Sequence, residues 1–133
     1  MIKNKEKYTQ FIDYSGLWAR GSAISGDIDL CYVYMGCYVF VEFKTGNTKV
    51  TPGQETMYKT IVDALNATGT PACYCVARHN VRNGDVDGSM CHVSEWYQCG
   101  YTMRCNMTVK EFIRYFMKTN EHKIHFRSDC NAS

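Results

Sequence analysis

The stretch Asp27-Ile28-Asp29-Leu30-Cys31-Tyr32-Val33-Tyr34-Met35-Gly36-Cys37-Tyr38-Val39-Phe40-Val41-Glu42-Phe43-Lys44 decides how this chain folds. It is dense in aromatic and β-branched residues and is broken once, at Met35-Gly36, which is the pattern of two strands joined by a tight turn. With a two-residue turn at that point, Tyr34 pairs with Cys37, and stepping outward brings Asp29 directly across from Glu42. Side chains alternate along a strand, so Lys44 projects from the same face as Glu42, one pleat further on. Three charged groups therefore converge at the open end of an otherwise apolar hairpin.

Charges in a segment as apolar as Phe40-Val41-Glu42-Phe43-Lys44 are costly unless something compensates them. A divalent cation would do so. Two carboxylates from neighbouring strands, helped by a backbone carbonyl such as that of Phe43, make a hard oxygen site suited to Mg²⁺ or Mn²⁺. Such an ion polarises a phosphate oxygen and activates water, and Lys44 is placed to orient or deprotonate that water and to balance charge. Taken singly, Glu42 and Lys44 read more readily as edge-strand charges that discourage sheet aggregation, and Asp29 as a turn or strand-end residue. The three together, at hairpin-consistent spacing, favour a site. Asp27 falls opposite Lys44 by the same register and is the second-ranked acidic candidate.

Working outward, Thr45-Gly46-Asn47 ends the hairpin. Thr51-Pro52-Gly53-Gln54 opens a helix, with Thr at the cap, Pro in the first turn and Gln as the reciprocal capping partner. This helix is expected to run to about Thr68, where Gly69 and Pro71 stop it. Ala72 to Arg78 reads as a third strand buried on both faces, His79 to Ser89 as a loop, and Met90 to Val93 as a short fourth strand. The stretch from there through Asn106 gives no clear pattern. Thr108-Val109-Lys110-Glu111 is a second capping box, followed by the apolar face Phe112, Ile113, Tyr115 and Phe116 of a last helix. On the other side, Asn4 to Tyr14 reads as a helix with a Tyr8, Phe11, Ile12 stripe, and Gly16 to Gly26 as a glycine- and serine-rich loop. The element order indicates an α/β domain spanning residues 1–133, a mixed sheet flanked by helices.

Gly26-Asp27-Ile28-Asp29-Leu30, then Val41-Glu42-Phe43-Lys44-Thr45-Gly46, then Gln54-Glu55-Thr56-Met57-Tyr58 resembles the Asp, Glu-x-Lys and Gln-x-x-x-Tyr series of the PD-(D/E)XK nuclease superfamily, particularly its RecB-type branch. The resemblance spans roughly residues 20 to 60. It implies a restriction-endonuclease-like core of αβββαβ type and a metal-dependent phosphodiesterase in which Asp29 and Glu42 bind the metal and Lys44 serves the water. It also implies that Gln54 and Tyr58 face the site. As a plainer alternative, Gln54 belongs only to the capping box and Tyr58 only to the core. In many members an acidic residue on the first helix joins the metal shell, and Glu6 is the matching residue here, although it serves equally well as a solvated helix charge among Lys3, Lys5 and Lys7. Arg20 and Ser22 are similar in place to backbone-contacting residues of junction-resolving members. The proline that precedes the key Asp in many members is absent.

Bulk properties constrain rather than decide. A chain of 133 residues with net charge +2 is long enough for one core and too weakly basic to grip nucleic acid by charge alone. The stripe Lys110, Arg114, Lys118 lines one helix face, either a solvated face or a phosphate-contacting one. No apolar run approaches a membrane span and no signal-type h-region is evident, so a cytoplasmic protein with reduced thiols is expected. The expected partner is nucleic acid, DNA ahead of RNA. Because a domain this small has little surface for a duplex, a homodimer or larger homo-oligomer is expected as well. Two alternatives stand beside the nuclease: a catalytically inactive domain of the same fold that binds nucleic acid or a protein, and an interaction domain with zinc on Cys73, Cys75, His79, Cys91 and His92, whose Cys-x-Cys spacing is not that of structural zinc.

Overall fold

The computed structural model describes residues 27–121; the helix expected near the N-terminus, with Glu6, and the residues Arg20 and Ser22 lie outside them. A hairpin of β1 (Leu30–Tyr34) and β2 (Cys37–Thr45) leads into α1 (Pro52–Ala67) and then β3 (Ala72–His79). A second hairpin of β4 (His92–Gln98) and β5 (Tyr101–Thr108) leads into α2 (Val109–Thr119). The strands form one sheet in the order β1-β2-β3-β4-β5. Among the described residues only the β2–β3 pair is parallel, and α1 is its crossover. The described residues are thus mixed α/β, with a five-stranded mixed sheet and two α-helices. Among the described residues two strands precede α1.

Both hairpins turn on the same device. Met35-Gly36 and Cys99-Gly100 each carry positive φ at both residues, 52° and 80° in the first and 52° and 84° in the second. This geometry matches the strand twist and asks for glycine at the second position. The first turn gives pairs from Tyr34↔Cys37 to Leu30↔Val41, the register anticipated from the sequence. The second hairpin was not anticipated. The short strand expected over Met90–Val93 is instead a 3₁₀ turn, Gly88–Met90, capped by the Asp87 carboxylate, followed by a full strand from His92. A bulge near Ser94, where the pairing slips against both β3 and β5, breaks the alternation that would have marked the strand.

The sheet's two faces are covered differently. One face packs Val39, Val41, Cys73, Cys75 and Val93 against Phe112 and Phe116 of α2, with Trp96 edge-on to both rings at 5.3 and 6.2 Å. The other packs Phe40, Ala72, Tyr74 and Val76 against Tyr58 and Val62 of α1. With covering on both sides β3 is buried along most of its length, as its apolar run implied. Cys73 and Cys75 are small core side chains on the α2 face, and burial raises both thiol pKa values.

Both α-helices start with complete capping boxes, Thr51 with Gln54 and Thr108 with Glu111, which satisfy otherwise unpaired amide groups in the first turn. Since register depends on the first turn, Gly36→Ala is expected to lower stability by about 1–2 kcal/mol, the cost of a Cβ in the left-handed region. Urea denaturation checks this, with Gly36→Asn expected to lose less.

Candidate active site at the end of the first hairpin

The carboxylate of Glu42 lies on the α1 face of β2 and is only 3% exposed. An ionised carboxylate taken so far out of water needs several donors, and it has three. The Tyr58 hydroxyl donates to Oε1 at 2.7 Å. The Gln54 side-chain amide donates to Oε2 at 3.1 Å, and the Lys44 ammonium stands 3.5 Å from the same oxygen.

Gln54 serves two ends at once. Its Oε1 accepts the backbone N–H of Thr51 at 3.2 Å, completing the capping box, while its Nε2 reaches Glu42. The helix cap and the site are therefore one hydrogen-bonded unit. Tyr58 is likewise both core and site: fully buried, its ring lies flat on Tyr74 with centroids 4.4 Å apart, while its hydroxyl points at Glu42. The sequence left capping and core as alternatives to a place in the site; the side chains fill both roles.

Asp29 is exposed in the bend just before β1, one residue beyond the last hairpin pair, Leu30↔Val41. Its Oδ2 accepts the backbone N–H of Phe43 at 2.9 Å, and its own N–H makes a long 3.4 Å contact to the Tyr58 hydroxyl. This anchors the end of the hairpin and holds the second carboxylate beside the first. Burial pushes the Glu42 carboxyl above the ordinary glutamate range; the Tyr58 hydrogen bond and Lys44 oppose the rise, while the Asp29 charge adds to it. The Tyr58 hydroxyl is itself raised, by burial and by donating to Glu42, so it stays a donor.

Asp29 and Glu42 are oxygen donors whose mutual repulsion a cation would relieve. Mg²⁺ is commonly held by one or two carboxylates and completes its shell with waters and substrate phosphates, so this donor set fits such an ion. Among the described residues no group of three or more His, Cys, Asp or Glu side chains is placed to hold a metal. Cys73, Cys75, His79, Cys91 and His92 are among them and form no such group.

Other candidates fall outside this constellation. Asp27 makes no hydrogen bond or ion pair among the described residues. Lys110, Arg114 and Lys118 are exposed on α2, which packs against the opposite face of the sheet. One residue that sequence reasoning passed over is Arg78, the β3 neighbour of Lys44. Its guanidinium donates to Gly46 O at 3.0 Å, Thr48 O at 2.6 Å and Ser94 Oγ at 3.2 Å, tying the loop after β2 to β3 and β4. A lone arginine at the end of a buried strand was its only signal. An open depression of about 660 Å³, partly lined by Arg78, His79, Asn80 and His92, lies past the carboxyl ends of β2 and β3 and includes neither carboxylate.

No family model, curated protein or solved structure matches this chain.

Tyr58→Phe removes the shortest hydrogen bond to a buried carboxylate and is expected to cost about 1–3 kcal/mol in urea denaturation. A second expectation concerns pH. Because the folded Glu42 pKa is raised, the stability this group contributes is fully present below the ordinary glutamate pKa and is lost as pH rises through the folded value. Metal-free Glu42→Gln should therefore show a flatter stability profile than wild type over that window.

Proposed function

We propose that this chain is a metal-dependent nuclease of the PD-(D/E)XK type that hydrolyses phosphodiester bonds, DNA ahead of RNA. The observation that carries the reading is the convergence of Asp29, Glu42 and Lys44 on one face of the hairpin end, with Glu42 held by Gln54 and Tyr58. The same spacing in sequence suggested the resemblance, and a β-hairpin followed by α1 and a parallel β3 supports the reading, with two strands rather than the expected three preceding α1 among the described residues. Asp29 and Glu42, with the Phe43 carbonyl, are the groups that would hold Mg²⁺ or Mn²⁺; when bound, that ion supplies Lewis-acid polarisation of a phosphoryl oxygen.

The protein's own groups have distinct tasks. Gln54 and Tyr58 keep Glu42 in one orientation, so no reorganisation is needed when substrate arrives. The Lys44 side chain is 15% exposed, enough to reach a water at the site mouth while its charge stays balanced by Glu42. As an ammonium it donates a hydrogen bond that orients that water toward phosphorus, and its positive charge offsets the negative charge that grows on the phosphoryl oxygens. The described fold by itself presents limited surface to a duplex, which favours a homodimer or larger homo-oligomer as the working unit.

Incubation with single-stranded, duplex, branched and RNA substrates tests the reading. Cleavage is expected with Mg²⁺ or Mn²⁺ and not with EDTA. Glu42→Ala and Lys44→Ala should each lose roughly a hundredfold or more in rate while circular dichroism shows a folded protein. Metal-independent binding with no cleavage, unaffected by Lys44→Ala, would instead mark a catalytically inactive binding domain.

A further inference from the structure

Beside the carboxylate site, between the start of α1 and strands β3 and β4, lies a cleft of about 220 Å³ floored by Tyr74, Val76 and Tyr97. It is smaller than the ~300–1,000 Å³ typical of drug-sized ligand sites and is suited to one planar ring rather than a base pair. Its walls carry charge of both signs. Lys49, Lys59 and Arg78 are the cations and Glu55 and Glu95 the acids, and the Glu95 carboxylate makes no hydrogen bond or ion pair among the described residues.

Register fixes the relation of this cleft to the site. Glu42 pairs with Val76, and Val76 pairs with Glu95, so the two carboxylates stand in one row on one face, two strands or about 10 Å apart. Adjacent nucleotides of a single strand span such a gap. Lys59 is already committed, bonded to Glu55 at 2.7 Å and lying 4.9 Å over the Tyr97 ring. Lys49 has no such partner, and Arg78 donates only to two carbonyls and a hydroxyl, leaving both positive charges without a counter-ion among the described residues.

We infer that this cleft is a base-reading subsite for an unpaired nucleotide next to the phosphate at the carboxylate site, with Glu95 accepting a hydrogen bond from the exocyclic amino group of cytosine and with Lys49 and Arg78 facing the adjoining phosphate. The inference rests on the reading of the neighbouring site as a phosphodiester site. A carboxylate is acceptor-only, so it matches the N4 amino group of cytosine and repels the O4 carbonyl that thymine presents at the same place. A base held this way has its pairing edge occupied. The substrate is therefore single-stranded, or locally opened, at this position.

Fluorescence anisotropy of labelled oligo-dC and oligo-dT, in EDTA and at mildly alkaline pH where cytosine is unprotonated, tests this without cleavage. Wild type is expected to bind oligo-dC roughly tenfold more tightly than oligo-dT, and Glu95→Ala to erase most of that difference. Glu95→Gln, which keeps the size of the side chain and can pair with either base, should narrow it. Lys49→Ala should weaken both ligands alike and reduce the salt dependence by about one phosphate contact. Equal affinity of wild type for the two oligomers, no binding of either, or a preference that survives Glu95→Ala overturns the inference. Absence of Mg²⁺-dependent cleavage alongside an intact, Glu95-dependent preference counts against the nuclease reading alone.

Discussion

Burial of the Glu42 carboxylate is the constraint on which the rest depends. An acid in the middle of Phe40-Val41-Glu42-Phe43, under a helix and 3% exposed, is tolerated only if donors surround it. The chain supplies them from three directions: a tyrosine from the second turn of α1, an amide from its first turn, and a lysine one pleat along the same strand. Two of the three are fixed by something else. Tyr58 is clamped on Tyr74, and Gln54 by the cap it completes. Rigid elements aim the side chains, which is the arrangement a preorganised site requires.

The same constraint leaves the site incompletely neutralised. Asp29 adds a second carboxylate whose charge raises the Glu42 pKa further, and one ammonium cannot offset both. Local stability is given up at this end of the hairpin in a way that a bound cation would restore. Functional sites commonly carry such uncompensated charge, in contrast with ordinary cores. The cysteines show the contrast: Cys37, Cys73 and Cys75 are packed as small apolar residues among valines and phenylalanines.

Legibility in the sequence follows the range of the interaction. The first hairpin could be read because its turn is local: Met35-Gly36 sets the register, and register sets which charges meet. Both capping boxes were equally local. The second hairpin was missed although Cys99-Gly100 repeats the same turn, because the bulge near Ser94 shifts the alternation and hides the strand. The dual roles of Gln54 and Tyr58 were visible only as alternatives, since helical spacing serves core, cap and site alike. Arg78 and Glu95 were not legible as site neighbours at all. Their position depends on the parallel pairing of β2 with β3 and on the slip between β3 and β4, neither of which a single strand's pattern encodes.

Calorimetric titration of the metal-free protein with Mn²⁺ decides whether Asp29 and Glu42 act together as a divalent-ion site. Saturable binding is expected in wild type and is expected to be abolished in both Asp29→Asn and Glu42→Gln, with both variants folded by circular dichroism. Absence of binding in wild type, or binding that persists unchanged in both variants, would contradict such a site.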